Sequence, residues 1–232
     1  MGQMFRNLER FKIYYNLTLK ETNTFIGGSL LIVVVISTFI GGVSTLQTAY
    51  QLTSSLISNS IIGTIVSVTM LLELSPTVVM FVIAGRIGSK IASEIGTMRV
   101  TEQIDALEVM GVNSAAYLIL PKVIAGFISI PVLVTISAFL GHFGGIAAGH
   151  VSGAVTATEF TQGLRDYYEP YQVAVMYVKA FTFGGLITMI SSYQGFYTRG
   201  GALEVGTSST RAVVFSCLAM VVADYLIAEI ML

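Results

Sequence analysis

Three ionisable side chains fall inside apolar runs of this sequence: Glu73 in TMLLELSPTV, Lys179 in MYVKAFTF and Asp224 in MVVADYLI. Charges are costly in such surroundings, so each needs a partner or a polar path. A carboxylate and an ammonium at similar depth have three uses. They relay protons, they line or gate a route for a polar cargo, or they pair and only hold helices together. Glu73 and Lys179 are the candidates for lining or gating. Asp224 lies nearer the outer end of its run, where water reaches it. Nothing else suggests a catalytic or metal-binding residue. His142 and His150 stand eight apart with no Cys or carboxylate cluster beside them, and the single Cys217 sits in an apolar run as a small hydrophobe.

The second concentration of chemistry is GRIGSKIASEIGTMRVTEQIDALEVMGV, residues 85–112. It holds seven of the chain's twenty-five charged side chains: Arg86, Lys90, Glu94, Arg99, Glu102, Asp105 and Glu108. Arg86, Lys90 and Glu94 recur every four residues and share one helical face. A short helix is expected from about Thr101 to Met110, with Thr101 as N-cap and Gly111 as the residue that ends it. Val100, Ile104, Leu107 and Met110 (or Gly111) fall on one face, and Glu102, Asp105 and Glu108 on another. Such a helix suits docking into a groove on a partner, or it merely covers the end of a bundle. No G-x-x-x-x-G-K-[ST] occurs, so any ATP hydrolysis belongs to another chain.

The elements that must position these residues follow from composition. The chain has 232 residues, 54% hydrophobic and only 11% charged, with mean hydropathy +0.79. Soluble domains carry about 25% charged residues, so the solvent here is mostly lipid. A net charge of −1 gives no electrostatic footprint for nucleic acid. Residues 1–25 do not read as a cleavable signal. Five runs are long enough to span a bilayer, at about 25–50, 61–84, 116–148, 173–196 and 212–232. The expected fold is an all-α integral membrane protein. It has an amphipathic interfacial helix over 1–24 and a five-helix transmembrane domain over 25–232, with the charged helix at about 99–111 and an outer segment at about 153–170.

With the N-terminus inside, ten of the twelve Lys and Arg residues fall on the inner side and only Arg165 outside. That bias places the N-terminus and residues 85–112 in the cytoplasm and the C-terminus outside. Glu73 and Lys179 then differ in depth by roughly 9 Å, a gap that tilt and a long side chain can close. Pro76 is expected to perturb the helix beside Glu73. Gly141, Gly145, Gly149 and Gly153 recur every four residues and are read as a packing seam, within one chain or between two.

The run LLELSPTVVMFVIAGRIGSKIASEIGTMRVTEQIDALEVMGV (71–112) resembles the signature of the MlaE/YrbE family, the permease subunits of ABC transporters that work with MCE-domain lipid-binding proteins. The resemblance continues through LILPKVIAGFISIPVL, YVKAF and GTSSTRAVVFSCLAMVVADY. It implies a homodimer in the bacterial inner membrane with a lipid cavity facing the periplasm, a cytoplasmic ABC ATPase that binds ATP and Mg, a periplasmic MCE-domain protein, and phospholipid as cargo. This chain itself would be a transport subunit with no cofactor and no enzyme activity. The helix at 99–111 becomes the coupling helix, and Arg99, Glu102, Gln103, Asp105 and Glu108 its ATPase-contacting residues. One departure stands out: the family pattern has Arg-Glu where this chain has Leu72-Glu73. The competing readings are an ion-gradient-coupled secondary transporter using Glu73 and Lys179, and a membrane scaffold. No internal repeat supports the first of these.

Overall fold

The computed structural model describes residues 11–52 and 58–231. Among them there is no strand, and five helices are long and apolar enough to cross a membrane. Helix α1 covers Phe11–Gln51 and runs without a break through residues 24–25, where the interfacial helix was expected to give way to the first span. Residues 1–10 of that expected segment lie outside the described residues. Phe25, Ser29, Val33, Ser37, Gly41 and Thr45 are buried at four-residue spacing. Together they form one stripe of α1, which packs along α4, Ser114–Ser152.

That seam is close because its residues are small. A Cβ at Gly41 would fall on the Gly141 carbonyl, and a Cβ at Gly144 on the Thr38 carbonyl. Ser37 donates to Ser137 at 2.9 Å across the same seam. Without a hydrophobic drive between helices in lipid, close backbone approach and interhelical hydrogen bonds supply the cohesion.

Helix α2 runs Ser60–Val100, well past the apolar run at 61–84 and into the charged segment, as the i, i+4 charges implied. It changes to π-helical geometry at Met70–Val78 and again at Ala84–Gly88. The first change surrounds Pro76, which has no N–H to return to the Leu72 carbonyl four residues earlier. Helix α3 is the short Gln103–Val109, and α5 is Ala157–Asp166 in the segment that follows α4. A capping box starts α5: Thr156 accepts from the Glu159 N–H while Glu159 accepts from the Thr156 N–H. The Thr156 N–H and then its hydroxyl, both donating to the exposed Glu159 carboxyl, hold it below its ordinary pKa. Phe160 then anchors α5 in the bundle, and Thr64 of α2 donates to the Gly163 carbonyl at 2.9 Å. Helices α6, Pro170–Phe196, and α7, Ala202–Met231, complete the fold. The last helix begins ten residues before its apolar run. It buries only a narrow stripe, Ser208, Ala212, Ser216 and Met220.

Candidate functional site

Lys179 is the centre of the site. Its side chain is 0% exposed, inside the stretch of α6 that also buries Met176, Ala180 and Phe183. Its Nζ donates to Glu73 Oε1 at 3.0 Å, to Asp224 Oδ1 at 2.7 Å and to the Leu72 carbonyl at 2.8 Å. One ammonium thus ties α6 to α2 and α7. The Leu72 carbonyl is the acceptor that Pro76 leaves without its α-helical donor, so the proline and the lysine work as a pair. Burying a lysine is tolerated only when every donor is satisfied, and here all three are.

The depth gap inferred from the sequence is therefore closed. Asp224 is a full member of the cluster rather than a wetted group at a helix end, and its contact to Lys179 is the shorter of the two. What the sequence could not give was the face: Asp224 continues the inward stripe of Ser216 and Met220 at four-residue spacing. Thr77, also unforeseen, lies one turn from Glu73. Its hydroxyl is 3.3 Å from Asp224 Oδ1 and 3.5 Å from Glu73 Oε2. The Glu73 side chain is 48% exposed and Asp224 18%.

The residues around the charged end of α2 form a second group. Glu102, not Thr101, occupies the N-cap position of α3, in a left-handed conformation at φ 61°. Thr101 is diverted because its hydroxyl donates back to the Thr97 carbonyl at 2.8 Å. Gly111 does end the helix region with a positive φ of 79°. Arg99 pairs with Asp105 at 2.6 Å, joining the end of α2 to α3, and Ser114 donates to Glu108 at 2.7 Å, joining α3 to α4. Gln103 reaches the Thr101 hydroxyl at 3.0 Å. Ile104 is buried and Leu107 half-buried, but Met110 departs from that face and is 68% exposed beside Val109 at 89%.

A third group was not singled out from the sequence. Lys122 of α4, almost wholly buried, donates to Glu21 of α1 at 2.7 Å and to Glu94 of α2 at 3.0 Å. Of the glycine stripe, Gly141 meets Met70 and the α1 seam, and Gly145 meets Thr45 and Phe160. Gly149 makes ordinary contact with Thr45 and Val155. All three contacts lie within one chain. Gly153 does not share in them: it ends α4 at φ 70° with nothing near its open side. His142 of the same segment is held by the Ala138 carbonyl at 2.6 Å and Ser67 at 3.1 Å, a bridge between α4 and α2.

The sequence model of the family described as Permease MlaE matches residues 18–230. A probable ABC transporter permease protein of Rickettsia bellii is 39% identical over 218 residues, covering 94% of this chain and 84% of the relative. One from Synechocystis is 35% identical over 230 residues, covering 99% and 87%. The intermembrane phospholipid transport system permease protein MlaE of Haemophilus influenzae is 30% identical over 219 residues, covering 94% and 84%. With a match that reaches every long helix and takes in the lysines of both buried ion clusters, the chain belongs to the MlaE permease family.

Proposed function

We propose that the chain is the permease subunit of an ATP-driven lipid transporter, with phospholipid as cargo passed between the inner membrane and a periplasmic MCE-domain protein. The observation that carries this reading is Glu73. It sits in the middle of a spanning helix, half exposed, with one oxygen held by a buried lysine. Acyl chains do not solvate a carboxylate, so this face of α2 meets a water-bearing cavity or a second copy of the chain. A homodimer that encloses a lipid cavity provides both. An open apolar groove of about 720 Å³ between α6 and α7, lined by Leu186, Ile190, Phe215, Leu218 and Leu226 among others, suits acyl chains on that path.

In this reading ATP and Mg are bound by a cytoplasmic ABC ATPase that docks on α3. The Arg99–Asp105 and Glu108–Ser114 contacts pass its motion to α2 and α4. The Lys and Arg distribution supports a cytoplasmic N-terminus and a periplasmic C-terminus.

The test is reconstitution of the chain with its ATPase in proteoliposomes and measurement of fluorescent phospholipid transfer to the MCE protein. Transfer is expected to require ATP and to fall to near background in Glu73→Ala and Lys179→Ala. Intact transfer in both variants, with lowered thermal stability, would make the cluster purely structural. Transfer driven by an ion gradient without ATP would support the secondary-transporter reading instead.

A further inference from the structure

The charge on this cluster bears on which lipid it accepts. Lys179 has three N–H donors, all committed to protein acceptors, and no exposed surface. It has nothing left for a phosphate. What the cluster turns outward is carboxylate. Among the described residues, the one hydrogen bond to Glu73 Oε2 comes from the Thr77 hydroxyl at 3.5 Å, and that single hydrogen is shared with Asp224. Two carboxylates against one ammonium leave a formal charge of −1, and among the described residues no second cation pairs with either carboxylate. An uncompensated charge acts on what comes near it, and at the half-exposed Glu73 water screens that action in part.

We propose that this cluster selects lipids whose headgroup ends in an ammonium, ethanolamine or choline, over lipids whose headgroup carries only negative charge. The inference rests on the reading of the cluster as part of the lipid path. The ammonium sits against Glu73 Oε2, and the lipid phosphate points away from the cluster. Glu73 is then a specificity-determining residue and Lys179 the group that positions it.

The test is native mass spectrometry of the full chain in dodecyl maltoside, titrated separately with dioleoyl phosphatidylethanolamine, phosphatidylcholine and phosphatidylglycerol. The two ammonium lipids are expected to bind about two- to fivefold tighter than phosphatidylglycerol, the range set by one half-exposed ion pair. Glu73→Gln, which keeps an acceptor for Lys179, is expected to bring all three to near parity. Asp224→Asn, which also removes one negative charge, serves if that variant does not fold. A preference for both ammonium lipids supports recognition of charge. A preference confined to the ethanolamine lipid supports a narrower form, in which the headgroup N–H groups donate to Glu73. Equal binding of all three lipids by the unaltered chain overturns the inference. If Glu73→Gln shifts all three affinities equally, lipid meets the cluster but headgroup selection is wrong. If neither Glu73→Gln nor Lys179→Met alters the binding of any lipid, the lipid-path reading falls as well.

Discussion

Two lysines, each buried between two carboxylates from different helices, do similar work at two levels of α2. Lys179 binds Glu73 and Asp224 in the membrane, and Lys122 binds Glu21 and Glu94 toward the charged segment. Removing a buried partner leaves uncompensated charge, which costs more than the pair itself contributes. Because Glu94 is 44% exposed and can turn to water, Lys122→Met is expected to destabilise by about 1–3 kcal/mol rather than the full penalty of a dry site. Thermal unfolding in detergent checks this. Glu21→Gln in the Lys122→Met background should recover part of the loss, since Glu21 is the better buried partner. No recovery would mean that Lys122 acts through its packing alone. At this scale the sequence was informative where a charge stood alone in an apolar run, as Glu73 and Lys179 do. It was silent on Lys122, whose place near the end of a span made it look like any boundary lysine. It misjudged Asp224 because depth along a helix does not reveal which face is turned inward.

The elements were legible because lipid imposes a length and a composition on each span, and all five long helices cover the apolar runs. Less legible were the features set by tertiary contact. The π-helical turn at Met70–Val78 depends on Pro76 and on an acceptor that Lys179 satisfies from another helix. The start of α3 moved because Thr101 found a closer acceptor in its own preceding turn. The four-residue glycine spacing of α4 coincides with close contacts at Gly141 and Gly145, whereas Gly153 forms the left-handed helix end. The seam gives a graded test. At Gly144 a new methyl meets the Thr38 backbone carbonyl, which cannot move alone. At Gly141 it meets the end of the Met70 side chain, which can rotate away. Gly144→Ala is therefore expected to cost about 2–3 kcal/mol and Gly141→Ala about 1 kcal/mol or less. Melting temperatures in one detergent rank them, and the reverse order would contradict this account of the α1–α4 seam.

Across the whole molecule, α2 is the member that joins everything. One rod carries Glu73 of the membrane cluster, Glu94 of the Lys122 cluster and Arg99 at the α3 contact. Val100 and Glu73 lie roughly 40 Å apart along it at the α-helical rise. A push on α3 reaches α2 through Arg99–Asp105 and α4 through Glu108–Ser114, and Lys122 keeps those two helices in step with α1. The sequence left open whether a partner meets the acidic or the apolar side of α3, and it placed Met110 (or Gly111) on the same face as Ile104 and Leu107. The position of Met110 in the structure separates two surfaces. Arg99, Asp105 and Glu108 are engaged within the chain, whereas Val109 and Met110 are mostly exposed at the far end of α3. Exposed apolar side chains in an otherwise charged loop are the groups a helix-in-groove partner would bury. Val109→Ser with Met110→Ser is therefore expected to remove most ATPase co-purification while leaving the permease's own melting temperature nearly unchanged, since both side chains are mostly exposed. Asp105→Ala should instead loosen the α2–α3 tie, leaving ATPase bound but transfer poorly coupled to ATP hydrolysis. Pull-down with the purified ATPase, scored beside the ATP hydrolysed per lipid transferred, separates the two outcomes. Full binding by the double serine variant would move the contact to the acidic side, where Glu102→Lys becomes the next substitution to make.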